Sequence, residues 1–179
     1  MKKIVPLLLA LAANVIYGSE SLTYLDWQPL AELPPVGEQS ESLGVAGPYV
    51  GFHNDALIVA GGANFPKPYW GENKVWHDDI WVLERSSNGT LNQWKNGGSL
   101  PRPLGYGASV SLPQGVLCIG GNDAERTYSE VFLLKWDRSG NSVERESLPS
   151  LPKTIAYTAA TSVGSKVYVI GGTETNELS

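Results

Sequence analysis

Three times along this chain an aliphatic run ends in a pair of glycines, and that repeat limits the fold more than any other feature. The copies are Leu57-Ile58-Val59-Ala60-Gly61-Gly62, Leu117-Cys118-Ile119-Gly120-Gly121 and Val167-Tyr168-Val169-Ile170-Gly171-Gly172. Leu-Pro pairs precede them at Leu33-Pro34, Leu100-Pro101 and Leu151-Pro152. Leu100 to Gly120 and Leu151 to Gly171 are both twenty residues apart, and Tyr106 and Tyr157 each fall fourteen residues before their glycine pair. A second apolar run follows two of the pairs, at Ile80-Trp81-Val82-Leu83 and Val131-Phe132-Leu133-Leu134. A spacing near fifty residues with short apolar runs is the signature of a β-propeller built from four-stranded blades.

Each full unit reads as four antiparallel strands. In the second, Tyr106 to Ser111 is the first strand and Val116 to Ile119 the second. Ser129 to Lys135 is the third, and a fourth follows the turn at Asp137 to Asn141. The turn residues Asn54-Asp55, Asn88-Gly89 and Gly140-Asn141 tolerate the positive φ that tight hairpins require. The glycine pairs end a buried strand where the backbone turns sharply and packs with no room for a Cβ. The expected architecture is all-β: blade one over 46–96, blade two over 106–147, and an incomplete third over 157–179. The segment 22–30, with Trp27, reads as a lone outer strand. Propellers close with about four to eight blades, so the sequence reads as the front part of a longer ring.

Lys2 and Lys3 followed by the apolar run Ile4 to Ile16 read as an export signal over 1–18. That places the remainder in the periplasm or outside the cell, with no membrane association once the signal is removed. The net charge of −5 argues against a nucleic-acid partner, which wants a basic surface. Cys118, the single cysteine, lies in an apolar run and reads as a small core residue. The only two histidines, His53 and His77, fall on opposite faces of blade one, so no metal site is expected.

The strand and glycine pattern resembles the Kelch repeat. Three segments are more specific: Gly44-Val45-Ala46-Gly47, then Ala63-Asn64-Phe65-Pro66 after the first glycine pair, and the run Trp70 to Ile80. With Tyr106-Gly107 to Leu112 they resemble the bacterial N-acetylneuraminate epimerase (sialic acid mutarotase) family, in particular its circularly permuted branch. The resemblance implies a six-bladed Kelch propeller that interconverts the anomers of a free sugar acid without metal or organic cofactor. It also implies a catalytic Glu and Arg in a Gly-Glu … Arg-Thr loop, for which this chain offers only Gly121-Asn122-Asp123-Ala124-Glu125-Arg126-Thr127. Asn122 stands where that Glu belongs.

The loops between the second and third strands and the connections from a fourth strand to the next blade share one face and collect the candidate site residues. Glu125 and Arg126 are the candidates for catalysis, against the plainer reading of a solvated ion pair. Asn64, Arg102, Asn122 and Trp70 are the candidates for substrate binding. Phe65, Tyr69, Trp70 and Trp76 offer faces for a sugar or cover their own loop. Asn64 either binds substrate or caps its own turn. Arg102 either holds a carboxylate or joins two blades. The competing functional reading is a non-catalytic propeller that binds a glycan or a protein.

Overall fold

The computed structural model describes residue 27, residues 29–86 and residues 89–175. The export segment and most of the 22–30 strand lie outside the described residues. Trp27 and Leu30 are exposed, and the neighbouring Ala31 carbonyl accepts the Trp94 indole N–H at 3.0 Å.

Twelve strands make up the described regular structure, which contains no helix. Blade one is built from β1 (Tyr49–His53), β2 (Ala56–Ala60), β5 (Asp79–Arg85) and β6 (Leu91–Ser99), all antiparallel in the order β1-β2-β5-β6. Between β2 and β5 the chain makes a small ribbon, β3 (Ala63–Asn64) against β4 (Val75–Trp76). Blade two repeats the pattern with β7 (Ala108–Leu112), β8 (Gly115–Ile119), β9 (Val131–Asp137) and β10 (Ser142–Leu148). β11 (Ala156–Val163) and β12 (Lys166–Thr173) form the hairpin that opens a third blade. The four-stranded blades expected from the repeat are therefore present.

Side-chain alternation explains why the sheets stack face to face. Successive residues of a strand point to opposite faces, and in β8 both faces are buried. Val116 and Cys118 point toward blade one, where they join Tyr49, Ile58, Val82, Phe132, Leu134 and Trp136 in one core. Leu117 and Ile119 point the other way and meet Val167 and Val169 of β12. Burial pushes the Cys118 thiol well above its ordinary value, so it stays protonated as an inert core group.

The glycine pairs are the sockets of the blade seams. A Cβ on Gly61 would lie 2.1 Å from the Leu104 carbonyl oxygen, and one on Gly120 would lie 2.2 Å from that of Ile155. The second glycine of each of these two pairs donates its N–H to that same oxygen, Gly62 to Leu104 at 2.9 Å and Gly121 to Ile155 at 2.7 Å. The chain entering each new blade thus lands directly on the glycine pair of the blade before it. Only a residue without a side chain leaves room.

The first strand of blade two begins two residues later than the sequence suggests. Tyr106 has a left-handed backbone, φ 58°, and its N–H goes to the Gly47 carbonyl at 2.7 Å rather than into a ladder. The third glycine pair also differs, because β12 runs through Gly171 and Gly172 to Thr173.

Candidate functional site

Gly47, Tyr106 and Tyr157 occupy equivalent positions at the entrance to successive blades, and all three have left-handed backbones with φ of 63°, 58° and 56°. They are tied in series: Tyr106 N–H donates to Gly47 O and Tyr157 N–H to Tyr106 O, both at 2.7 Å. An aromatic residue in this conformation costs roughly 1–3 kcal/mol and persists only where its surroundings enforce it. Here the inter-blade bonds enforce it, and the result is an arc of aromatic side chains at the mouth. Each tyrosine leans back over the preceding blade. A Cβ on Gly47 would lie 2.5 Å from the Tyr106 ring, so the glycine in blade one makes space for that ring.

The β3–β4 ribbon supplies the next pieces. Lys74 and Trp76 are two residues apart on extended chain and so share a face. Both reach Tyr106. The Trp76 ring packs edge-on against it with centroids 6.4 Å apart, and the Lys74 ammonium sits 4.6 Å from the Tyr106 centroid and 4.4 Å from that of Trp76. Tyr106 and Tyr157 rings lie 4.8 Å apart. Asn122, buried after the second glycine pair, knits these together. Its Oδ1 accepts the Trp76 indole N–H at 3.3 Å, and its Nδ2 donates to the Tyr157 hydroxyl at 3.2 Å. In front of Lys74 and Tyr106 is a concavity of 410 Å³ that also takes in Asn64, Phe65 and Tyr69.

The predicted site residues do not all come together. Asn122 lies in the arc, where it orients Trp76 and Tyr157. Asn64 borders the concavity, but its amide is already engaged: Nδ2 donates to Gly44 O at 2.7 Å, and Oδ1 accepts from Gln39 at 2.8 Å and from His77 Nε2 at 2.9 Å. Trp70 is 92% exposed and stands apart from the arc.

Arg102 and Arg126 come together on one ring, with guanidinium carbons 4.4 Å and 4.9 Å from the Tyr128 centroid. Arg102 is also ion-paired with Glu130, which Arg145 holds from the other side at 2.7 Å. Asp123 organises the loop by accepting the backbone N–H groups of Glu125 at 2.8 Å and Arg126 at 2.9 Å and the Tyr128 hydroxyl. Burial opposes ionisation of Asp123, but these donors outweigh it and hold its carboxyl below the usual range. The Glu125 side chain is exposed. Sequence reading missed Lys74 altogether. It used Tyr106 and Tyr157 only as markers of the repeat, although their matched spacing from the glycine pairs is the signal that could have placed them side by side.

A larger cleft of 620 Å³ lies on the other side of the ribbon, lined by Gly37 to Glu41 and Val75 to Asp78. Its walls carry Glu38, Glu41 and Asp78, and its one cation, Lys67, is paired with Glu41 at 2.8 Å. That electrostatic character suits an anion poorly. Among the described residues no group of three or more His, Cys, Asp or Glu is arranged to hold a metal ion.

The sequence model of the N-acetylneuraminate epimerase family matches residues 12–144, well over half of the chain. The chain belongs to that family. Two similar members of the N-acetylneuraminate epimerase family bear the same name. The protein of Brucella suis is 40% identical over 130 residues, which cover 66% of this chain and 32% of that protein. The protein of Yersinia pestis is 36% identical over 136 residues, covering 69% and 33%. Among solved structures, one described as the structure of YjhT superposes with a TM-score of 0.54 at 30% identity, over 69% of this chain and 35% of that one. The chain spans about a third of the length of these relatives. The arc residues Lys74, Trp76, Tyr106 and Asn122 fall inside the matched region; Tyr157 lies beyond it.

Proposed function

We propose that this chain forms part of the sugar-binding mouth of a propeller that interconverts the α and β anomers of N-acetylneuraminate. The observation that carries the reading is the arc: the Lys74 ammonium and the Tyr106 ring face one concavity, and Trp76, Asn122 and Tyr157 pack beside them. Interconversion requires a base to take the anomeric hydroxyl proton while an acid protonates the ring oxygen. The ring C–O bond then breaks to the open-chain ketone, which re-closes on its other face. None of the five arc residues is a carboxylate. The role of these blades in the proposal is to hold and orient the sugar. The apolar run after Lys2-Lys3 supports export, and so action on sugar in the periplasm or outside the cell.

The alternative, a non-catalytic glycan-binding or protein-binding propeller, is favoured by the exposed side chains of Phe65, Tyr69 and Trp70. Saturation-transfer NMR on an anomerically equilibrated solution of N-acetylneuraminate separates the two. An interconverting site must accept both anomers, so transfer to both sets of C3 protons is the expected result. Transfer to one anomer alone, or only to a glycosidically linked sugar, would favour the non-catalytic binder. In separate samples, decay of freshly released α anomer should run at the buffer rate, because the arc holds no carboxylate to serve as the base. Acceleration abolished by Glu125→Gln or Arg126→Gln would assign the chemistry to the 122–128 loop.

A further inference from the structure

We infer that Lys74 is the residue that takes the carboxylate of the sugar acid, with the Tyr106 ring as the platform that holds its ammonium in place. The inference rests on the sialic acid reading above and names a group within it. The other cations near this face are committed elsewhere. Arg102 is paired with Glu130, Lys67 with Glu41, and Arg126 lies against Tyr128 in the loop that Asp123 organises. Among the described residues no carboxylate lies within ion-pairing distance of Lys74. Its ammonium instead rests on the faces of Trp76 and Tyr106, 4.4 Å and 4.6 Å from their centroids.

A cation held over ring faces keeps its charge, and it gives up part of its water to the rings. An arriving anion therefore meets a fixed and partly desolvated positive charge, which strengthens the interaction relative to a mobile surface lysine. The surroundings fit the rest of a sugar acid. The concavity of 410 Å³ before Lys74 falls within the roughly 300–1,000 Å³ typical of small-molecule sites. Outside that lining but against the Tyr106 ring, the Tyr157 hydroxyl accepts from Asn122 and keeps its own hydrogen for a neighbouring oxygen. A lysine is a point charge and needs no bidentate geometry, so the guanidinium expected at Arg102 is not required for this contact.

The test is calorimetric titration of the chain with N-acetylneuraminate and with its C1 methyl ester, which lacks the negative charge and retains the ring. The wild-type chain should prefer the acid by roughly ten- to a hundred-fold, the range for a hydrogen bond to a charged group. In Lys74→Met the acid should fall to the affinity of the ester, with the ester unchanged, and Lys74→Arg should restore part of the preference. A lysine that only packed on two rings would alter stability and leave the preference intact. Lys74→Gln, read the same way, serves if Lys74→Met loses its folded tryptophan fluorescence. Preference for the acid surviving in the lysine variants would overturn the inference and leave the sialic acid reading standing. Equal binding of acid and ester by the wild-type chain would also overturn it. Failure of the wild-type chain to bind either compound would overturn both.

Discussion

Asn64 and His77 form a small buried relay behind the concavity, and its protonation state follows from its geometry. The Asn64 carbonyl oxygen can only accept, so His77 Nε2 carries the proton in the 2.9 Å bond between them. Burial holds the His77 imidazole below its ordinary value, against a smaller upward pull from Asp79 and Asp78. The unfolded chain then takes up a proton at a pH where the folded chain does not. Stability is full above the ordinary histidine value of about 6.5 and falls as the pH drops from there to the lower folded value. His53, also lowered by burial and by Lys135, accepts the Trp136 backbone N–H at 2.9 Å and adds a second contribution of the same sign. Urea unfolding at about pH 7.5 and about pH 5.5 should show a loss of stability that shrinks in His77→Gln. An unchanged loss in that variant would remove His77 from the account. Asn64 stands two residues after a glycine pair, and both its capping role and a substrate role were consistent with that position. Its three partners come from residues 39, 44 and 77, so the choice between them depended on contacts that local sequence does not contain.

The blades are held together by the faces between them, and the strength of those faces is set at the level of the strand. Phe132 of β9 is fully buried between blades one and two, where Tyr49 meets it edge-on at 5.6 Å and the Arg145 guanidinium lies 4.3 Å from its ring centroid. Ile170 of β12 is 65% exposed on the outward face of the hairpin. Phe132→Ala should cost about 3–5 kcal/mol in equilibrium unfolding, as a buried aromatic truncation does. Ile170→Ala should stay within about 0.5 kcal/mol. Similar costs for the two would contradict the stacking described. At this scale the sequence was informative, because two-residue alternation through Val116 to Ile119 and the spacing of the glycine pairs follow directly from the backbone. The start of β7 was less legible. Tyr106 is a good strand residue by propensity, and only the bond from its N–H to Gly47 of the neighbouring blade draws it into the left-handed region.

Across the described molecule, the candidate site belongs to no single blade. Lys74 and Trp76 come from the β3–β4 ribbon, Tyr106 from the entrance to blade two, Asn122 from its β8–β9 loop and Tyr157 from the start of the β11–β12 hairpin. Tyr106 and Tyr157, 51 positions apart, meet only because successive blades register their entrances one over the next. For that reason the tyrosine spacing was visible in the sequence and the arc was not. The aromatic residues Phe65, Tyr69, Trp70 and Trp76, in contrast, lie in one continuous segment and were legible as faces for a sugar; of these only Trp76 belongs to the arc. The central claim is that the sugar binds at the arc around Lys74 and Tyr106, whose concavity Phe65 and Tyr69 border, and not at the exposed Trp70. The most direct test follows the indole N–H of each tryptophan and the ring signals of each tyrosine by two-dimensional NMR during titration with N-acetylneuraminate. The account predicts saturable shifts at the Trp76 indole, Tyr106 and Tyr157, with Trp70 unmoved. Shifts confined to Trp70, or none at the arc at saturating sugar, would contradict it.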